Sequence, residues 1–241
     1  MQLQEKIQEV YKMQLSIRLS ALAQYVEKGS SVIDVGTDHA YIPIHLIEEG
    51  KAIRCLATDI NAGPLKKADK NIRAKGVKNI SLKQINGLEG VTSKDGDVIM
   101  ISGMGGYLII DILERAAKLL VSVNKLILQP QQDIDKVRKY LHRIGFKIET
   151  EDFVIDDGKY YTVIVAKPGK EVYDKEYEYV YGKCLIQKKL PVFKEWLVKK
   201  HNKLKEISQK LEQTDSPSIA IRKNEIKKEI EMHQEVMTCV L

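Results

Sequence analysis

Cysteine is scarce in this sequence. Cys55, Cys184 and Cys239 are odd in number and far apart. That argues against a disulfide framework or a cysteine-based zinc site and points to a reduced, cytoplasmic setting. Long apolar runs are missing too. None approaches the roughly 18 residues of a membrane span, so neither a membrane partner nor a bound metal is expected. The opening segment "MQLQEKIQEVYKMQL" scatters charges through its length and has no apolar core, so no secretion signal is expected.

A concentrated basic segment is also lacking. The chain carries 39 Lys and Arg against 33 Asp and Glu, a net charge of +6. Residues 171–241 hold 14 basic against 12 acidic side chains, or +2. The surplus points to an anionic partner, nucleic acid being the commonest kind, but any basic patch must be assembled by folding. What is present suits a globular protein: 241 residues, 44% hydrophobic and 30% charged, enough for one medium domain and an appendage.

Leu15, Leu19, Leu22 and Val26 recur at helical spacing, so residues 12–27 read as an opening amphipathic helix. Short apolar runs then alternate with helical patterns. "SVIDV", "AIRCLATDI", "NISLKQI", "DVIMIS" and "KLILQP" read as strands. "YIPIHLIEEG", "AGPLKKADKNIRAKG", "GYLIIDILERAAKLL" and "QDIDKVRKYLHRIG" read as helices. The alternation predicts a parallel sheet covered by helices on both faces. "FKIETEDFVIDDGKYYTVIVAKPG" then reads as two strands around a "DDGK" turn, an antiparallel hairpin. A mostly parallel sheet that ends in an antiparallel pair distinguishes class I methyltransferases from the dehydrogenase form of the Rossmann fold. After Gly169 the strand patterns stop. Leu190, Phe193, Leu197, Leu204, Ile207 and Leu211, then Ile219, Ile226, Ile230 and Met237 beyond "TDSPS", predict an antiparallel helical hairpin. The expected fold is therefore α/β over residues 1–169, Rossmann-like, with a helical, coiled-coil-like domain over 170–241. That hairpin either contributes to substrate binding or merely covers itself.

Ligands of open parallel sheets sit beyond the carboxyl ends of the strands. Asp34 and Gly36, Asp59, Asn86 and Gly87, and Ser102, Gly103, Met104, Gly105 and Gly106 all fall at such ends. In "VIDVGTDHA", however, a dinucleotide fingerprint is incomplete. Gly36 stands alone, and Asp38 occupies the place of the second glycine. A carboxylate there would repel a pyrophosphate. It suits a cationic ligand instead, such as the amino group or sulfonium of S-adenosylmethionine, with Asp34 holding the loop or reaching the amino group through water. Asp59, 25 residues after Asp34, is placed either to accept from ribose hydroxyls or to cap the next helix. Asn61 is a competing cap and a further candidate on the cofactor side. Asn86 reads as an adenine contact or an ordinary Asn-Gly turn. "SGMGG" reads as a tight turn or as room for a flat base.

"VIDVGTDHAYIP", "ATDINAGPL", "NGLEGV", "SGMGG" and "LILQP" together resemble the bacterial tRNA adenine-22 N1-methyltransferases over nearly the whole chain. The resemblance implies a Rossmann-like methyltransferase domain, S-adenosylmethionine as donor, tRNA as partner, and a ring nitrogen of a D-arm adenine as methyl acceptor. "SGMGG" also lacks the prolines and aromatic of the Asn/Asp-Pro-Pro-aromatic motif usual in enzymes that methylate the exocyclic amino group. A ring nitrogen carries an in-plane lone pair, so positioning would carry most of the rate. Asp38 is then the candidate for stabilising charge that develops on the base, with His39 and Tyr41 either shaping the base pocket or simply packing. The target adenine is expected to leave its stack. A monomer is expected. Two other readings compete: an NAD-linked oxidoreductase, disfavoured by the missing glycines, and a non-catalytic RNA-binding module that keeps the fold.

Overall fold

The computed structural model describes residues 14–213 and 217–241. They divide into two compact units, Met1–Glu171 and Val172–Leu241.

In the first unit the strands are β1 (Ser30–Val35), β2 (Ala52–Asp59), β3 (Ile80–Gln84), β4 (Val98–Met104), β5 (Lys125–Pro130), β6 (Phe146–Asp156) and β7 (Lys159–Pro168). The helices are α1 (Ile17–Ala23), α2 (Tyr41–Glu48), α3 (Ala62–Lys75), α4 (Gly106–Arg115), α5 (Ala117–Leu120) and α6 (Ile134–Arg143). The strands form one sheet in the order β3-β2-β1-β4-β5-β7-β6. The first five strands of the chain pair in parallel, and β7 runs antiparallel to both β5 and β6. This is the expected class I methyltransferase sheet.

The local reasons are plain in the sequence. All six residues of β1 are buried, because a central parallel strand has helices over both faces and so reads as an apolar run. Pro64 lies in the first turn of α3, and Gly76, at φ 63°, ends that helix in the left-handed conformation. Asp157 (φ 48°) and Gly158 (φ 71°) form the two-residue turn of the β6–β7 hairpin, where both central residues need positive φ. Ile42 and Leu46 pack into the main core from one side of α2, and Ile44 packs with Ala40 and Ala68 on the other, each buried side chain contributing roughly 1.5–3 kcal/mol. Arg138 of α6 meets Glu151 of β6 at 2.7 Å, the two side chains 1% and 0% exposed.

Several expected boundaries shift. The opening helix is shorter than residues 12–27: α1 begins after Ser16, whose hydroxyl accepts from Leu19 N at 3.4 Å, and residues 12–13 lie outside the described ones. β4 continues through Met104 with a register shift between Ser102 and Met104, so most of "SGMGG" is irregular strand. The helix expected over residues 106–120 breaks at Ala116 into α4 and α5.

The second unit holds α7 (Glu176–Tyr181), α8 (Lys183–Lys188), α9 (Pro191–Glu212) and α10 (Pro217–Val240). The long pair α9–α10 is the expected hairpin, preceded by two short helices that the sequence reading did not resolve. Its buried line includes Phe193, Leu197, Leu204, Ile226, Val236 and Val240. Among them sits His233, 0% exposed. Its Nε2 donates to Leu197 O at 3.0 Å, and its Nδ1 lies 3.0 Å from the Tyr181 hydroxyl. A carbonyl can only accept, so the proton is on Nε2 and Tyr181 is the donor to Nδ1.

Candidate active site

From β1 the chain runs outward through β2 and β3. It then returns to the other side of β1 as β4 and continues to β5. That reversal opens a crevice at the carboxyl ends of β1 and β4, the usual ligand position in such sheets. A cleft of about 360 Å³ lies there.

Of the residues singled out from sequence, Asp34, Gly36, Asp38, His39, Tyr41, Ser102 and Gly103 line this cleft together. Gly36 has φ 76°, and a Cβ on it would run into the Met104 methyl group. The positive φ favours glycine here, and a side chain would also displace the flexible end of Met104. The loop is pinned across the sheet by Gly36 N and Thr37 N, which both donate to Thr58 O, at 2.8 and 2.9 Å.

Asp34 is 5% exposed. Burial pushes its carboxyl up to about 6 from 3.8, against a hydrogen bond from Thr37 that pulls the other way. Its neighbour in the cleft differs: the Asp38 side chain is 70% exposed, with Oδ2 3.3 Å from His39 Nε2. The His39 and Tyr41 rings lie nearly parallel, 4.9 Å apart. Between them Ala40 sits at φ 55° with no exposed surface, an uncommon conformation for a side chain other than glycine. It turns the chain into α2, which starts at Tyr41 as its sequence pattern predicts. Its N-cap is Ala40, with no side-chain cap bond, so Asp38 does not cap this helix.

The remaining candidates, Met104 excepted, stand apart from the cleft lining. Asp59 ends β2, and its Oδ1 accepts from Asn61 N at 2.7 Å. Asn61 is the N-cap of α3, but its side chain makes no cap bond. Asn86 and Gly87 turn the chain after β3, where Gly87 O accepts from the Thr58 hydroxyl at 3.2 Å. Met104 walls the Gly36 side. Gly105 precedes α4, and Gly106 is buried against the turn into α6: a Cβ there would stand 2.7 Å from both Gln132 O and Asp133 O. Close helix packing explains glycine at 106.

Six lining residues were not among the candidates: Arg18, Leu19, Thr37, Ala40, Ile42 and Gln131. Arg18, on α1, places Nη1 3.1 Å from Gln129 Oε1, and its guanidinium lies 5.4 Å from the centre of the Tyr161 ring. Gln131, just beyond β5, completes that wall. "LILQP" marked the strand, but no spacing rule pairs residue 18 with residue 129.

The cleft fits S-adenosylmethionine by its donor set. It has two carboxylates for a ligand carrying an ammonium and a sulfonium, and a glycine floor that admits close approach. Its single glycine at the β1 turn and its acidic lining do not fit a pyrophosphate.

Residues 32–235 match the family described as TrmK, tRNA (adenine(22)-N(1))-methyltransferase. The tRNA (adenine(22)-N(1))-methyltransferase of Bacillus subtilis is 36% identical over 159 residues, 66% of this chain and 67% of that protein. A putative tRNA (m1A22) methyltransferase of Streptococcus pneumoniae, solved in complex with S-adenosyl-L-methionine, superposes with a TM-score of 0.84 at 32% identity, over 93% of this chain and 100% of that one. TrmK of M. capricolum, solved with S-adenosyl-homocysteine, gives 0.83 at 26% identity, over 95% and 100% of the two chains. With the parallel sheet, the acidic cleft and a match spanning both units, the chain belongs to the tRNA (adenine(22)-N(1))-methyltransferase family.

Proposed function

We infer that the protein transfers the methyl group of S-adenosylmethionine to ring nitrogen 1 of adenine 22 in tRNA. The observation that carries this reading is the acidic, glycine-floored cleft at the carboxyl ends of β1 and β4 in a chain of this family. The donor supplies an electrophilic methyl on a sulfonium, and the electron pair of the broken carbon–sulfur bond stays on sulfur. The adenine lone pair forms the new bond, so the base leaves as a cation and needs no general base.

In this reading Gly36 lets the backbone approach the donor. Asp34, ionised above about pH 6, faces its positive end. Asp59 is available at the end of β2 for the ribose, and Asn86 for the adenine edge. Asp38, exposed in the cleft, faces the acceptor base and stabilises the charge that develops on it. His39 and Tyr41 form the wall against which the flipped base rests. The enzyme acts as a monomer in the cytoplasm. Among the described residues no helix is long and apolar enough to cross a membrane.

The test is incubation with labelled S-adenosylmethionine and unmodified tRNA, followed by nucleoside analysis. Label in 1-methyladenosine is expected. Label in N6-methyladenosine, or none, would overturn the reading.

A further inference from the structure

On the outer face of the first unit, α4 and α6 enclose a second groove of about 260 Å³. Its lining is unlike that of the cleft. Tyr107 and Ile110 contribute from α4; Lys136, Lys139, Tyr140 and Arg143 contribute from α6. The three cations stand at i, i+3 and i+7, so they share one helix face, about 4.5 and 6 Å apart along the axis. Arg143 is held in place. Its guanidinium lies 5.0 Å from the centre of the Tyr140 ring and pairs with Glu114 at 2.7 Å. Lys136 lies 3.1 Å from Asp135. Tyr107, by contrast, is 61% exposed, although it follows directly on Gly106.

Two loops link the groove to the cleft along the chain. The segment Ser102–Tyr107 gives Ser102 and Gly103 to the cleft and Tyr107 to the groove. The segment after β5 gives Gln131 to the cleft and, three residues into α6, Lys136 to the groove. Gly106 N donates to Gln132 O at 3.0 Å, which ties these two loops together at the starts of α4 and α6.

We propose that this α4–α6 groove is a docking surface for the tRNA flanking the target adenine. Lys136 and Lys139 contact backbone phosphates, and the Tyr107 ring stacks on a base or ribose. The proposal rests on the function inferred above. Charge complementarity selects the occupant: cations interleaved with an exposed aromatic ring suit a polyanion that also carries flat apolar faces. Phosphate contacts of this kind set the register of a nucleic acid on the protein, and register here means bringing one adenine to the cleft.

The test compares the full-length protein with Lys136→Ala/Lys139→Ala and with Tyr107→Ala. A control, Lys66→Ala/Lys67→Ala on exposed α3 positions, removes equal charge elsewhere. Three readouts are needed: kinetics on unmodified tRNA, tRNA binding by fluorescence anisotropy across salt concentrations, and S-adenosylmethionine affinity by calorimetry. The groove double variant is expected to raise the tRNA KM about tenfold. It should also flatten the salt slope by about 1.5, at roughly 0.7–0.9 per phosphate contact, with donor affinity unchanged. Tyr107→Ala is expected to raise KM and leave the salt slope alone. A double variant that binds tRNA like wild type, or no worse than the control, overturns the docking surface. A wild-type protein that binds tRNA through the groove but never methylates it would instead overturn the inferred activity.

Discussion

Asp38 Oδ2 stands 3.3 Å from His39 Nε2, so the two polar groups at the mouth of the cleft form one unit. The His39 ring in turn lies over that of Tyr41.

Asp38→Asn is nearly isosteric and removes only the charge. If Asp38 acts on the charge that appears on the base, its effect is confined to the transition state. The single-turnover rate at saturating donor is expected to fall by roughly ten- to a thousandfold, about 1.4–4 kcal/mol. Donor affinity should hardly change. The opposite pattern, weak donor binding with a rate that recovers at high concentration, would assign Asp38 to the donor's cationic end.

Asp34 links pH to both stability and binding. Its folded pKa of about 6 lies above the ordinary 3.8, so the folded state holds the proton more tightly than the unfolded chain. Stability therefore falls as pH rises from about 4 to 6, and the full cost above that range is about 3 kcal/mol. Asp34→Asn is expected to raise the melting temperature of the donor-free protein at pH 7.5 while weakening donor binding. The wild-type affinity for S-adenosylmethionine should decline as pH drops through 6, and the variant's should not. Calorimetry at pH 5 and 7.5 reads both.

On the helical hairpin the lysines at 199, 200, 203 and 205 are not equivalent. Lys200 is committed: it pairs with Glu229 at 3.2 Å and lies 4.8 and 5.5 Å from the centres of the Tyr181 and Trp196 rings. Lys199 and Lys203 are exposed and share a face at i, i+4. Lys205 points away, about 200° round from Lys203 at 3.6 residues per turn. If the hairpin holds tRNA, Lys199→Ala/Lys203→Ala is expected to raise the tRNA KM severalfold and to reduce its salt dependence, with donor affinity intact. An unchanged KM would leave the hairpin a purely structural element.

His233 makes the second unit sensitive to acid. Burial lowers its pKa, helped by the nearby charges of Lys200 and His201; the Leu197 carbonyl and Glu229 oppose the shift. A histidine whose folded pKa is depressed contributes fully above the unfolded value of 6.5, and its contribution is lost as pH falls below it. Tyr181 stays protonated throughout, since burial and Glu229 raise its pKa. Helicity lost between pH 7 and 5 should be smaller in His233→Phe. That variant should also be less stable at pH 7 by roughly 1–3 kcal/mol, because the Tyr181 hydroxyl and Leu197 carbonyl lose their partner. Circular dichroism melts at the two pH values provide the check.

Much of this architecture is legible in the sequence because burial leaves periodic marks. β1 reads as a strand since every residue is buried, and the "DDGK" turn reads as a hairpin since its φ values demand Asp-Gly. The strand ends carry Asp34, Gly36 and Ser102 to the cleft because parallel topology leaves no other place for a ligand. What stays hidden depends on distant packing. Arg18 reaches the cleft only because α1 lies against β6 and β7, with Arg18 N donating to Asp156 at 3.1 Å. The glycines of "SGMGG" look like a turn, yet neighbouring β5 keeps Met104 in the sheet, paired with Pro130. α7 and α8 are each six residues long, too short for a period to declare itself.

The buried contact between Arg138 and Glu151 also constrains the history of α6. Losing either partner alone strands a charge away from water, a loss of roughly 3–5 kcal/mol, so lineages cannot readily exchange these residues one at a time. Lys136 and Lys139, on the same helix, face no such barrier. Across descendants of this protein the inner side of α6 should be inherited as a pair, while its outer side is free to track changes in the RNA it meets.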